Sequence, residues 1–65
     1  MQIKVSGRQT DIPDGSSIQQ LRLLKNVADN IAVVLNGDII ESEFWKSTML
    51  NPHDEVDLIQ FVAGG

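Results

Sequence analysis

Sixty-five residues suffice for one small domain, which buries only about 60% of the surface its unfolded chain exposes and has little room for a deep pocket beside a core. The chain has no cysteine and a single histidine, which excludes a disulfide framework, a thiol nucleophile, a histidine-based triad and a cluster of metal ligands. Net charge is −4, with Asp38, Glu41, Glu43, Asp54, Glu55 and Asp57 in the second half and only Lys46 among them, a balance that repels phosphates and anionic lipid and so argues against nucleic acid and membrane as partners.

The acidic half reads first as a solvated face that keeps a small protein soluble, and second as a surface steered toward a basic protein. No charged-then-apolar-then-small pattern opens the chain, and no apolar run approaches the roughly 20 residues that span a bilayer. The expectation is a soluble, cytoplasmic protein.

Met1 to Val5 alternates, with Met1, Ile3 and Val5 on one side and Gln2 and Lys4 on the other, which is a half-buried strand. Ser6-Gly7 is a short turn, and Gln9 to Ile12 returns as a second strand. Pro13-Asp14-Gly15 breaks it, since proline fixes and glycine frees the backbone angles that turns require. Ser16 and Ser17 each precede a glutamine by three positions, so either pair can form a capping box. Ile18, Leu21, Leu24 and Ala28 then recur at helical spacing, predicting a helix of about 10 residues that fades over Asn26 to Asn30.

Ile31 to Leu35 is β-branched and apolar, a buried strand. Asn36-Gly37 tolerates the positive φ of a type I′ turn and predicts a tight hairpin with Asp38 to Ile40 as its return. Ser42 to Met49 carries Phe44 and Trp45 and reads as a helical turn or a loop tied to the core. Asn51-Pro52-His53-Asp54 is a turn, and Glu55 to Val62 is the last strand. Within it Val56 and Leu58 point one way, and Asp57, Ile59 and Phe61 the other. The order predicts an α+β fold with one main helix packed across one face of a mixed sheet of four to five strands. The domain spans residues 1–62 and residues 63–65 form a flexible tail.

Few side chains are placed for chemistry. His53 beside Pro52 reads as an exposed turn histidine rather than a catalytic one. Glu41 and Glu43 alternate at a strand end with no pocket implied around them, so they read as solvated charges rather than an acid/base pair. Asp14 to Ser17 lacks the glycines and lysine of a phosphate loop, and capping accounts for it. Trp45 is expected in the core. No catalytic residue and no metal ligand emerges.

The terminus remains. Two glycines form a thread slender enough for a narrow channel in another protein. The α-carboxyl of Gly65, with a pKa of about 3.5, is ionised at neutral pH and can attack the α-phosphate of ATP to give an acyl adenylate that a sulfur nucleophile captures. The carrier needs no catalytic side chain for this, because partner and cofactor supply the chemistry and the small protein supplies placement. A frayed end without function accounts for the tail alone equally well.

The segments Leu35 to Ile40, Ser42 to Trp45, Asp54 to Val56 and Phe61 to Gly65, taken in this order over the whole length, resemble the ThiS family of sulfur carrier proteins of thiamine thiazole biosynthesis. The resemblance implies a ubiquitin-like β-grasp fold. It implies that a ThiF-like adenylating enzyme uses ATP to activate Gly65, that a sulfur-donor persulfide protein supplies the sulfur of a C-terminal thiocarboxylate, and that a ThiG-like thiazole synthase receives it. The carrier itself is then neither an enzyme nor a cofactor-binding protein. Carried onto this sequence, Gly65 is the modified position, Gly64 and Ala63 enter the partner's active site, and Phe61 and Val62 contact the partner. Strand parity adds Ile59 to Phe61 as an apolar patch on the face away from the helix.

Glu41, where the family often has proline or a basic residue, and Asn51 to Asp54, where it is often glycine-rich, depart from the pattern and bear on partner details. Two other functions share the tail: a small subunit of molybdopterin synthase (MoaD-like) and a ubiquitin-like modifier conjugated through Gly65. A plain interaction module is a third possibility, and it would dispense with Gly64 and Gly65.

Overall fold

A computed structural model of the chain describes residues 1–28 and 30–60. Strands β1 (Gln2–Val5) and β2 (Arg8–Asp11) form a hairpin, helix α1 (Ile18–Leu24) follows, and strands β3 (Ile31–Leu35) and β4 (Asp38–Ile40) form a second hairpin. A single 3-10 turn (Ser42–Phe44) and strand β5 (Glu55–Gln60) complete the described chain. The sheet order is β2-β1-β5-β3-β4. Strands β1 and β5 are parallel, and the other pairs antiparallel. One helix on a five-stranded mixed sheet is the α+β arrangement that the element order predicts and the ubiquitin-like β-grasp fold that the resemblance implies.

Both hairpin turns follow from their residues. Ser6 and Gly7 have φ of 49° and 82°, and Asn36 and Gly37 have 51° and 91°, the paired positive values of a two-residue type I′ turn. The second turn sets the register Leu35↔Asp38, Val34↔Ile39 and Val33↔Ile40. Strand β2 lies one residue earlier than Gln9 to Ile12. Ile12 continues its pairing, accepting from the Met1 amine at 2.7 Å and donating to the Met1 carbonyl at 2.9 Å, and its side chain is buried.

One face of the sheet carries Ile3, Val5, Ile31, Val33 and Val56, and Ile18 and Leu21 of the helix join them in the core with Ile12, Trp45 and Leu50. The helix starts on a capping box. The Ser17 hydroxyl accepts from the Gln20 N–H, and the Gln20 side chain accepts from the Ser17 N–H at 2.8 Å. The next orphan donors, Ile18 and Gln19 N–H, reach the carbonyls of Thr48 and Trp45 at 3.0 and 3.1 Å. Every donor of the first turn thus has an acceptor, which ties the helix start to the 45–50 segment.

The helix has 7 residues rather than the expected ten or so. Asn26 turns left-handed at φ 54°, and the Arg22 guanidinium reaches across the break to the Val27 carbonyl at 3.0 Å. Because the helix stops there, Leu24 never faces the sheet and is 61% exposed, and Ala28 is exposed too. Val27 packs against the core instead. Glu41 directly follows the end of β4 and precedes the 3-10 turn, whereas Glu43 lies in that turn rather than on a strand. Trp45 is buried, as expected, with its indole N–H on the Ile40 carbonyl at 2.9 Å.

Candidate docking face and tail

Strand β5 carries the residues that matter. Its alternation puts Val56 inward at 1% exposure and Leu58 against the core, and turns Asp57 and Ile59 outward, as period two requires. Across the ladder Ile59 stands opposite Ala32, Asp57 opposite Val34, and Val34 opposite Ile39. Ala32, Val34, Ile39 and Ile59 therefore form one apolar strip on the face the helix leaves bare. Ile39 and Ile59 are 69% and 50% exposed. Leaving both isoleucines partly wet forgoes a share of the about 1.5–3 kcal/mol that full burial of each would contribute, and an exposed apolar strip of this kind is a surface that a partner can cover.

The strip lies toward the end of the sheet where Gln60 pairs with Ile31. Of the site residues expected from the sequence, Ile59 is on this face. Phe61, Val62, Ala63, Gly64 and Gly65, and with them the boundary at residue 62 and the 63–65 tail, lie outside the described residues. Ala32, Val34 and Ile39 were not among the expected contacts. The signal was present: Asn36-Gly37 fixes the register, and the register puts Ile39 on the face of Val34.

The rest of this face is charged. Lys4 and Glu55 are Cα partners across β1 and β5, and Asp57 sits between Glu55 and Ile59. A neighbouring groove of about 240 Å³ opens at the sheet end between β3 and the start of the 3-10 turn. A second groove, of about 400 Å³, lies between residues 13–16 and the exposed Leu23 and Leu24 of the helix.

Other polar groups are committed to the fold. The Ser16 hydroxyl donates to the Pro13 carbonyl at 2.6 Å, and Ser17 is the helix cap. The Asn36 side chain donates to Asp54 at 3.1 Å and accepts from the Glu55 N–H at 2.9 Å, joining the hairpin turn to the 51–54 turn. His53 is exposed, with φ of 70° and its N–H on the Gln2 carbonyl at 2.7 Å. Among the described residues no three His, Asp or Glu side chains gather as metal ligands, and no helix is long and apolar enough to cross a membrane. What this arrangement can do is present an apolar strip to another protein.

A family model described as the ThiS family matches residues 2–65. The chain is similar to the crystal structure of a thiamine biosynthesis protein (ThiS) from Geobacter metallireducens, with 26% identity, all of both chains covered and a TM-score of 0.87. It is also similar to the solution structure of a thiamine biosynthesis protein from Geobacter metallireducens, at 28% identity and a TM-score of 0.82, over 100% of this chain and 88% of that one. No curated protein sequence matches it.

Proposed function

The chain belongs to the ThiS family, and from that premise we propose that it is a sulfur carrier of thiamine biosynthesis whose working atom group is the C-terminal carboxylate of Gly65. A carboxylate oxygen attacks the α-phosphorus of ATP in an adenylating enzyme, and pyrophosphate leaves. The outer sulfur of a persulfide donor then takes the acyl carbon and AMP departs, leaving the carrier joined to the donor through an acyl disulfide. A thiol attacks the donor's sulfur, the S–S bond breaks, donor and thiol leave as a disulfide, and sulfur stands where a carboxyl oxygen stood. The thiocarboxylate gives up that sulfur to a thiazole synthase. The carrier binds no cofactor in this scheme, and the setting is the cytoplasm, where the adenylating enzyme draws its ATP.

The observation that carries the reading is that the family match runs to residue 65 and so includes the Gly64-Gly65 ending. The full-length likeness to thiamine biosynthesis proteins supports it. The strip of Ala32, Val34, Ile39 and Ile59 supplies a docking face. Binding energy gathered there holds the tail in place while the partner's groups do the chemistry. Gly64 and Ala63 are the slender lead-in, and Phe61 and Val62 extend the contact.

Intact-mass analysis after incubation with ATP, a ThiF-like enzyme and a sulfur donor tests the scheme. The expected product is heavier by sulfur in place of oxygen, and a variant extended by one residue beyond Gly65 gives none. An unchanged mass for the unextended chain rejects the carrier reading. Rescue of a molybdenum-cofactor auxotroph but not of a thiamine auxotroph would move the chain to the molybdopterin branch, and stable lysine-linked adducts in cells would make it a modifier.

A further inference from the structure

The groove at the sheet end has a floor of Ile31, Ala32, Ile39, Ile40 and Trp45, and Glu41 stands on its lip. Of these floor residues only Trp45 has a polar side-chain group, and its indole N–H is already held by the Ile40 carbonyl at 2.9 Å, while Asn30 and Ser42 complete the lining. The floor therefore offers a visitor apolar contact. The lip offers charge. Glu41 is exposed, its side chain makes no capping hydrogen bond to the turn it precedes, and among the described residues no base lies within 4.0 Å of it.

Apolar floor plus free carboxylate fits one kind of side chain: a long aliphatic stem with a cationic head, which lays the stem on apolar surface and keeps the head at the rim. Ala32 and Ile39 belong both to this floor and to the exposed strip of the sheet, so the groove is continuous with the docking face. Ile31, which pairs with Gln60, puts it beside the last residue of β5.

We propose that this groove seats an arginine or lysine of the enzyme that adenylates the tail, with Glu41 as the residue that selects it. The inference rests on the carrier reading above. Among proteins that would take the tail, the adenylating enzyme must bring together two anions, the terminal carboxylate and the triphosphate of ATP. The mouth of such a site is electropositive for that reason, and a basic side chain at its rim meets an acidic lip on the carrier.

The test is the affinity of the full-length chain for the purified ThiF-like enzyme with ATP, at low and moderate salt, alongside the mass assay for thiocarboxylate. The variants are Glu41→Gln, Glu41→Arg and, as a control for net charge, Asp11→Arg on the opposite edge strand β2, where the carboxylate is 82% exposed. Glu41→Arg is expected to weaken binding about tenfold or more and to flatten the salt dependence, with Glu41→Gln intermediate. Asp11→Arg is expected to change affinity less than about twofold, as suits a rim charge outside the contact. Thermal melts should match the parent for Glu41→Arg. Equal losses for Glu41→Arg and Asp11→Arg would mean diffuse charge steering and overturn the groove contact, as would parental affinity for Glu41→Arg. A concentration-dependent dimer lost in Glu41→Arg would assign the groove to a second copy and overturn it too. Each of these leaves the carrier reading standing if the parent chain still gains sulfur, whereas a parent that gains none removes the carrier reading itself.

Discussion

Ile59 of β5 and Ala32 of β3 stand opposite each other on the bare face of the sheet, one residue beyond the Val33↔Leu58 pair that packs toward the helix. A single step along the strand thus separates a core position from an exposed one. Ile59→Asp should weaken binding to a tail-handling enzyme by about tenfold or more while lowering stability by less than about 1 kcal/mol, because the side chain is already half wet. Ile39→Asp should do the same. Val56→Asp, three residues earlier and inward, places an unpaired charge in the core and should abolish folding. Binding and thermal melts of the three variants check this together, and an Ile59→Asp chain that fails to fold would make the strip part of the core.

At His53 the backbone, not the imidazole, governs the position. Its φ of 70° is left-handed, and its N–H holds the Gln2 carbonyl at 2.7 Å. A non-glycine residue there costs about 1 kcal/mol, and glycine would relieve that while giving back about 0.4–1 kcal/mol in unfolded-chain entropy. His53→Gly should therefore leave stability within about 0.5 kcal/mol of the parent, whereas β-branched His53→Val should lose about 1–2 kcal/mol. Urea midpoints separate the cases. Equal losses for glycine and valine would mean that the side chain itself carries stability.

Both tight turns, the capping box and the buried tryptophan were legible in the sequence because each is a local consequence of residue type. Asn36-Gly37 announces positive φ, Ser6-Gly7 announces a short turn, and Ser16 or Ser17 three positions before a glutamine announces a helix start. The helix end was not legible. Leu24 fits the 3.6-residue period as well as Leu21 does, and the stop comes from Asn26 turning left-handed and from Arg22 bridging to Val27, neither of which a periodicity reports. Nor was the insertion of β5 between β1 and β3, a pairing of residues distant in the chain. The exposed apolar strip was half legible: parity within β5 gives Ile59, but Ile39 and Val34 join it only once register across β3 and β4 is known.

The helix start should be the most sensitive polar site in the fold. Ser17 is 4% exposed, and its hydroxyl accepts from the Gln20 N–H at 3.2 Å. Removing a serine cap costs about 0.5–2 kcal/mol, and leaving a shielded N–H without an acceptor favours the upper end. A domain of this size has on the order of 3–10 kcal/mol in total, so Ser17→Ala should lower the urea midpoint visibly. Gln20→Ala removes only the part-buried return bond from the Ser17 N–H and keeps the hydroxyl cap, so it should cost less, about 0.5–1 kcal/mol. A Gln20→Ala loss equal to that of Ser17→Ala would place the stabilisation in the glutamine rather than the cap.

Alkaline pH should loosen the other end of the sheet. The Met1 amine donates to the Ile12 carbonyl at 2.7 Å and lies 2.9 Å from Asp14 and 3.6 Å from Asp11. Its pKa is held above the ordinary 8.0 chiefly by the hydrogen bond to Asp14, against an opposing effect of desolvation and with added attraction from Asp14 and Asp11. A cation whose pKa is higher folded than unfolded binds its proton more tightly in the native state. Its stabilisation is complete below the unfolded value and is lost as pH rises through the folded one. Urea midpoints should therefore hold steady up to pH 8.0 and decline above it as the amine titrates. Asp14→Asn should lower the midpoint at neutral pH and flatten the alkaline decline, because the deprotonated amine then has less to lose. An alkaline decline of the same size in Asp14→Asn would assign it to other cations and leave the amine without a role in stability.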